Sequence, residues 1–411
     1  MKLKPRVRRS CLFGFMFYVS GVVLLENALF ISRYVDHQFR QDFDSDLAME
    51  RKQRYLPVDS LIHAQIPSAT TFLATTPAFS FYAKFSQNLH IIDNKQKAVF
   101  NDSNFVRRQE TSQIQGHAKV TEDDFYRKRR EKVNPYLYDV VLKPSIPCRK
   151  DTFVVILVHS HHFNTMQRSA IRNTWGSTAA LGGNGSWPNV AMSKAQRLRL
   201  VFVLGTHANP ALNDIARREA SRFDDVVQGN FQDSYRNMTL KSLLGLKFVS
   251  EHCSTAKYLL KSDDDMFINL PYLLKILTDR VIPGRAIIGP LNVGSGVMRA
   301  GKWKLTQEEF PFTFFPPYES GSAYVISSDI VRTLFETAEY VPHIFIDDVY
   351  ITGILGRILN VTHYRQKGFA HWSGPVPHVC DVVKNRIISA TRMTPFLLES
   401  LWLNLSQKQL C

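Results

Sequence analysis

Two stretches of this chain, residues 152–160 (TFVVILVHS) and 198–205 (LRLVFVLG), are apolar and mostly β-branched or leucine at consecutive rather than alternate positions. Successive side chains of a strand point to opposite faces, so runs of this kind need cover on both sides. Helical patterns lie where that cover is wanted: residues 166–175, residues 211–223 with their cations outward, and residues 239–251, which lead into a further strand at 257–261. Strands alternating with helices predict an α/β domain with a largely parallel sheet. In such sheets ligands bind beyond the carboxyl ends of the strands, which is where chemistry is to be sought.

The rest of the 411 residues has other tasks. A hydrophobic fraction of 45% and a charged fraction of 21% are those of a folded chain. The formal charge of +15 is partly local: Lys2, Lys4, Arg6, Arg8 and Arg9 open the chain, and Arg127 to Arg130 with Lys132 form a second group. Neither group is interleaved with aromatics or a recognition element, so nucleic-acid binding is not indicated. Residues 11–25 are apolar or small, and 28–31 extend the run past Glu26 and Asn27. About twenty residues suffice to span a bilayer core. A cleaved signal peptide is the competing reading, but the run is long and no small-x-small site follows Ile31. Glu26 weakens a span unless it lies near an interface. The preceding cations keep residues 1–10 in the cytosol, making 11–31 a signal anchor. Residues 32–135 then read as a polar luminal stem, partly ordered near 71–85, and 136–411 as the globular domain.

Luminal exposure gives meaning to five N-x-S/T triplets, at Asn101, Asn184, Asn237, Asn360 and Asn404. It also suggests one or two disulfides among Cys148, Cys253, Cys380 and Cys411, for which three pairings are open. No pair has the close spacing of a zinc site.

Four motifs carry the chemistry. At the end of the strand at 257–261 stands KSDDDMFIN (261–269). In extended geometry Asp263 and Asp265 point one way and Asp264 the other. Such a pair of hard oxygen ligands suits Mn²⁺ or Mg²⁺ with substrate phosphates, although an acidic helix cap before Pro271 would look similar. In RSAIRNTWG (168–176), Arg168 and Arg172 share a helix face and either hold a diphosphate or order acidic elements. FPPYESGSAYVISS (315–328) reads as a rigid turn before a strand, suited to a sugar ring or to structure alone. IDDVYITG (346–353) places Asp347 and Asp348 at the start of a helix expected over 348–359, as a base or as an ordinary cap.

In order, RSAIRNTWG, FVLG, FQDSYRNMTLK (231–241), KSDDDMFIN, the Lys302–Trp303 pair, FPPYESGSAYVIS and IDDVYITG make the chain similar to the β-1,3-galactosyltransferase and β-1,3-N-acetylglucosaminyltransferase family over roughly two thirds of its length. The resemblance implies a GT-A fold (Rossmann-like, binding a nucleotide sugar), anchored by a single span in the Golgi membrane as a type II protein. It implies transfer, with inversion, of galactose or N-acetylglucosamine from a UDP-sugar, with Mn²⁺ or Mg²⁺, to the 3-hydroxyl of a glycan on protein or lipid. Carried over residue by residue, Asp265 is the main metal ligand, and Asp263 a ligand that also faces the ribose. Arg168, Arg172, Asp233 and Asp264 lie near the donor. Trp303, Tyr318 and Gly321 lie toward the acceptor, and Asp348, or less readily Asp347, is the base. Two departures stand out. Thr391 occupies a place, four before Pro395, where relatives often carry histidine, leaving His371 or His378 as substitutes; and Gly353-Ile354-Leu355 replaces a stretch that in many relatives holds a cysteine. The rival classes are an inactive luminal glycan-binding protein or chaperone of the same fold, and a metal-dependent hydrolase or nuclease.

Overall fold

The structure is a computed structural model that describes residues 120–134, 136, 139–179, 187–190, 197–371, 374–407 and 411. The tail, the span at 11–31, the stem up to 119, Asn101 and Asn184 lie outside the described residues. Among those described, no helix is long and apolar enough to cross a membrane.

The chain builds an eight-stranded sheet in the order β1-β4-β3-β2-β5-β10-β7-β11. Its centre is parallel: β2 (Thr152–His159) pairs with β3 (Arg197–Thr206) on one side and β5 (Tyr258–Asp263) on the other, and β3 pairs with β4 (Val226–Gln232). Four strands flank this centre in mixed directions. β1 (Val140–Leu142) runs antiparallel to β4, β10 (Ala323–Ser327) antiparallel to both β5 and β7 (Ala286–Gly289), and β11 (Thr362–Arg365) parallel to β7. Strand β4 has no counterpart in the sequence reading, since Gln228, Gly229 and Asn230 interrupt its apolar run. Strand β5 also runs two residues beyond its expected end, so Asp263 is its last residue.

The consecutive apolar residues divide between two cores as the two-faced argument requires. Val154, Ile156 and Val158 enter one core with Ile171 and Trp175, and Val155, Leu157, Val201 and Val203 enter the other with Leu243, Leu244 and Phe248. The first core is covered by α2 (Thr165–Asn173), α5 (Leu270–Asp279), α7 (Val379–Val383) and α8 (Pro395–Ser406). The second is covered by α4 (Met238–His252) and α6 (Val331–Ala338). A Cβ at Gly245 would lie 2.5 Å from Leu157 Cδ1, so a side chain there would push α4 away from the sheet. Amphipathic α3 (Pro210–Phe223) turns only Ala216 fully inward, leaving its arginines outside as expected. The helix expected over 348–359 is instead a π-helix, Val349–Leu355, continued by a short α-helical turn, Gly356–Ile358.

The folded unit starts before residue 136. A short helix α1 (Glu122–Phe125) and the segment after it lie on the domain, with Val133 and Asn134 N–H groups donating to Glu339 O at 2.9 and 3.0 Å. Disulfides join Cys148 to Cys253 and Cys380 to Cys411, one of the three pairings left open by the sequence. Of the described sequons, Asn360 and Asn404 are exposed. Asn237 is half-buried, its amide donating to Gln232 O at 2.8 Å, while the Thr239 hydroxyl is buried on Ile344 O.

The Cys148–Cys253 bridge spans 105 residues of chain. A loop of that order restricts the unfolded state by several kcal/mol, so Cys253→Ala is expected to lower the unfolding free energy by about 3–5 kcal/mol. Urea unfolding of the variant and of the oxidised parent checks this.

Candidate active site

From β2 the chain winds through β3 and β4 on one side, then returns through α4 to β5 on the other. The crevice at this reversal, beyond His159 and its register partner Asp263, is the switch point where open α/β sheets bind ligands. The acid cluster lies at that point. Asp264 turns inward and is buried, accepting from Ser160 Oγ at 2.5 Å and from Asn164 Nδ2 at 2.9 Å. Burial raises its pKa against the pull of those two bonds. The turn is held on both flanks: Trp175 Nε1 donates to Met266 O at 2.9 Å, and Met393 N to Asp265 O at 2.8 Å. Arg392, in the left-handed region at φ 61°, presents its backbone N–H to the Asp265 carboxylate. Arg392 carried no signal in the sequence, because nothing in composition reveals a backbone donor.

Lys261, two residues before Asp263 and so on the same strand face, is buried beneath the cluster. Its ammonium donates to Asp263 Oδ1 at 2.6 Å and to Gly321 O, and stands 4.0 Å from Asp347 Oδ2. Burial alone would strip its proton; Asp263, Asp347 and Asp348 outweigh that and raise its pKa. The carboxylates are less well compensated. Burial pushes Asp263 up to about 7, opposed by Lys261 and reinforced by Asp265 and Asp347. Burial and Asp264 raise Asp265.

The acidic pair divides its labour. Asp347 is buried, accepts from Ser242 Oγ at 2.6 Å, and lies 4.0 Å from His159 Nδ1. Asp348 is half-open, accepting from Gly321 N at 2.8 Å on Oδ2 and from Val349 N at 2.8 Å on Oδ1. Burial and the Asp347 charge push its pKa up to about 7. Gly321, expected to face the acceptor, instead connects Lys261 to Asp348 through its backbone. A Cβ there would come 3.0 Å from Asp348 Oδ2. His159 is buried with neither ring nitrogen hydrogen-bonded, and burial, Lys261 and Lys241 lower its pKa well below the ordinary value.

Arg168 and Arg172 do not offer their guanidinium groups to a ligand. Arg168, fully buried, grips both carboxylate oxygens of Glu219 at 2.8 Å and donates to Ser160 Oγ and His161 O. Arg172 grips both oxygens of Asp225 at 2.7 and 2.8 Å and donates to Glu219, with its plane against Phe202 and Phe223. Of the two roles left open for the pair, the ordering of acidic elements is the one observed. Asp233 is likewise internal, accepting from Gly205 N and pairing with Lys241 at 2.7 Å. Arg168, Asp233 and Asp264 therefore lie behind the strand-end carboxylates, bonded within the protein. His378 caps α7, accepting from Cys380 N at 3.2 Å, and His371 is exposed ahead of it.

The lip carries the aromatic residues. Trp303 is 39% exposed and donates to the Tyr235 hydroxyl at 2.5 Å, and Lys302 lies 4.4 Å from the Tyr235 ring. Burial raises the Tyr235 pKa, opposed by the bond from Trp303 and reinforced by the charges of Asp347, Asp348 and Asp263. Asp348 acts on Tyr318 in the same way, second to burial.

A family model described as galactosyltransferase matches residues 166–367, which hold Asp263 to Asp265, Asp347, Asp348, Lys261 and the aromatic lip. Beta-1,3-galactosyltransferase 1 of Mus musculus and of Homo sapiens are each 30% identical over 285 residues, covering 68% of this chain and 82% of the relative. Beta-1,3-galactosyltransferase 5 of Pan paniscus is 33% identical over 218 residues, covering 52% and 68%. The chain belongs to the galactosyltransferase family. As a glycosyltransferase of this family, it takes a nucleotide-sugar donor and a glycan acceptor, and the crevice has carboxylates on one side and exposed aromatics on the other to meet them.

Among the described residues, no group of three or more His, Cys, Asp and Glu side chains could hold a metal alone. Mg²⁺-like ions commonly use one or two carboxylates and take their remaining ligands from water and substrate phosphate. Asp263 and Asp265 fit that use. Both are oxygen ligands at the crevice, and both have raised pKa values that an adjacent cation would relieve.

Breaking a buried ion pair leaves a charge uncompensated, so Arg168→Ala is expected to cost about 3–5 kcal/mol in urea unfolding. A variant of undiminished stability that bound UDP more weakly would return Arg168 to the role of diphosphate ligand.

Proposed function

We propose that this chain is an inverting β-1,3-glycosyltransferase of GT-A type that transfers galactose or N-acetylglucosamine from a UDP-sugar to the 3-hydroxyl of a glycan on glycoprotein or glycolipid. One observation carries the reading: a half-open carboxylate, Asp348, held by two backbone N–H groups, is tied through Gly321 to the buried Lys261 ammonium that binds the Asp263 carboxylate at the strand end. The names of the relatives favour galactose. The apolar run at 11–31 and the cations before it favour a type II Golgi membrane protein.

Asp348 is the base. Its backbone bonds occupy one lone pair on each oxygen and leave others for an acceptor hydroxyl. The hydroxyl oxygen attacks the anomeric carbon as the bond to the diphosphate oxygen breaks, UDP leaves with the electron pair, and the proton passes to Asp348. A carboxyl near neutral pKa suits this task, because a substantial share of it is ionised near neutral pH and it still accepts the proton as the attacking oxygen loses it. Asp347, tied to Ser242 and deeper in the crevice, holds the pKa of its neighbour up. A divalent cation on Asp265 and Asp263, when bound, supplies charge neutralisation at the diphosphate. Lys261 sets the distance between the donor and acceptor sides, since it binds Asp263 directly and reaches Asp348 through Gly321. Trp303 and Tyr235 offer faces for a sugar ring.

Removing a general base costs about 10²–10⁴ in rate, so Asp348→Asn is expected to lose transfer by that factor while still binding UDP. Asp265→Ala, or chelation of the parent, is expected to abolish UDP release. The proton must be absent from Asp348 for it to act. The parent's kcat/KM should therefore climb as pH rises through about 7 and level above it, a limb missing in Asp348→Asn. UDP release from UDP-galactose and UDP-N-acetylglucosamine, with β-galactoside and mannoside acceptors, measures all three. Full activity in either variant or with chelator sinks the assignment.

A further inference from the structure

Sequence assigns residues up to 135 to a stem, yet the structure packs the end of that stem against the connection that carries Trp303. The Phe125 ring meets Phe310 and Phe312 edge-on, each at 5.2 Å between centroids, and Tyr126 stacks on Phe312 at 5.8 Å. Phe310 is fully buried and passes the contact to Phe315 at 5.1 Å, and Phe315 to Tyr318 at 6.1 Å. Tyr318 in turn lies within the field of Asp348. The partners Phe310, Phe312 and Phe315 belong to a long connection between β8 (Leu291–Asn292) and β9 (Tyr318–Glu319), which also carries Trp303.

That connection has little regular structure of its own. Its ends are drawn together by Val297 N donating to Thr313 O and Phe315 N to Ser295 O, and Arg299 binds the carbonyls of Leu305, Thr306 and Phe312. Its outer side rests on Phe125. The strap is fastened from elsewhere: Arg357, just past the π-helix, pairs with Glu122 at 2.7 Å and lies 4.0 Å from the Tyr126 ring.

We propose that the strap Glu122–Tyr126 is a positioning element for the acceptor side of the site, holding the Trp303 connection against Tyr318 through the aromatic chain Phe125–Phe310–Phe315. This rests on the transferase reading above. The donor side stands on β2, β5 and the 391–393 segment, whereas the rings that meet Phe125 are those of Tyr126, Phe310 and Phe312, so loosening the strap should act on the acceptor alone.

The test uses the full-length chain and three variants, Phe125→Ala, Phe125→Leu and Arg357→Ala. UDP release is measured from UDP-galactose and UDP-N-acetylglucosamine, with and without benzyl β-galactoside or benzyl α-mannoside. Small displacements of positioning groups are costly, so Phe125→Ala is expected to raise the acceptor KM by about five- to tenfold. Donor KM and acceptor-free hydrolysis should stay within about twofold, Phe125→Leu should recover most of the loss, and Arg357→Ala should give a smaller rise of the same kind. An unchanged acceptor KM, or a parallel loss in donor KM and hydrolysis, overturns the proposal. Should Phe125→Ala fail to fold, the exposed Arg357→Ala decides by the same criteria. A parent that transfers to neither acceptor from either donor sinks the transferase reading and this inference with it. A parent that transfers, beside variants with unaltered acceptor KM, sinks the inference alone.

Discussion

Taking an ammonium group out of water costs several kcal/mol unless carboxylates meet it, and at Lys261 they meet it in excess. Asp263 is in direct contact, Asp347 stands 4.0 Å away, and Asp348 is reached through Gly321. One positive charge cannot neutralise them all, and burial, reinforced by the neighbouring carboxylates, raises the pKa values of Asp263 and Asp348. The fold tolerates it because the carboxylates stand at strand and helix ends, where the chain turns toward solvent. Between Asp263 and Asp348 the lysine, with the Gly321 backbone, acts as a spacer of fixed length.

Behind this layer lies a second one in which charge is balanced. Arg168 and Arg172 satisfy Glu219 and Asp225, Lys241 satisfies Asp233, and Arg168 reaches Asp264 only through the Ser160 hydroxyl. The difference between the layers separates support from chemistry. Groups whose hydrogen bonds are complete hold positions, while groups left short of partners are available to a ligand. His159 and its two unpartnered nitrogens sit on the boundary between the two.

How much of this was readable follows the distance over which each feature is determined. Strands β2 and β3 were legible because their own residues declare burial on both faces, and the acid cluster because its position follows from where a strand ends. Strand β4 escaped because Gln228 is buried by hydrogen bonds to Gly205 O and Asn213 and so does not look apolar. The roles of Arg168 and Arg172 escaped because their partners lie about fifty residues on, and only the folded chain brings them together. Asp348 is preferred to Asp347 on the resemblance alone; that Asp347 is the more buried of the two is something adjacent aspartates in a sequence cannot show. The strap was hidden by its composition: Phe125 and Tyr126 are two aromatics within a basic, polar stretch.

The π-helix at Val349–Leu355 carries an obligation of its own. All seven of its residues are buried, Tyr350 bonds the carbonyls of Ala338 and Val341, and Thr352 bonds both Asp348 O and Glu319 N. A wide turn of this kind contains one residue more than an α-helix would need over the same rise. Each α-helical residue turns the chain by about 100°, so losing one here would face Asp348 in a new direction or drag the buried side chains after it. In descendants of this gene the segment can exchange its letters far more readily than it can change their number.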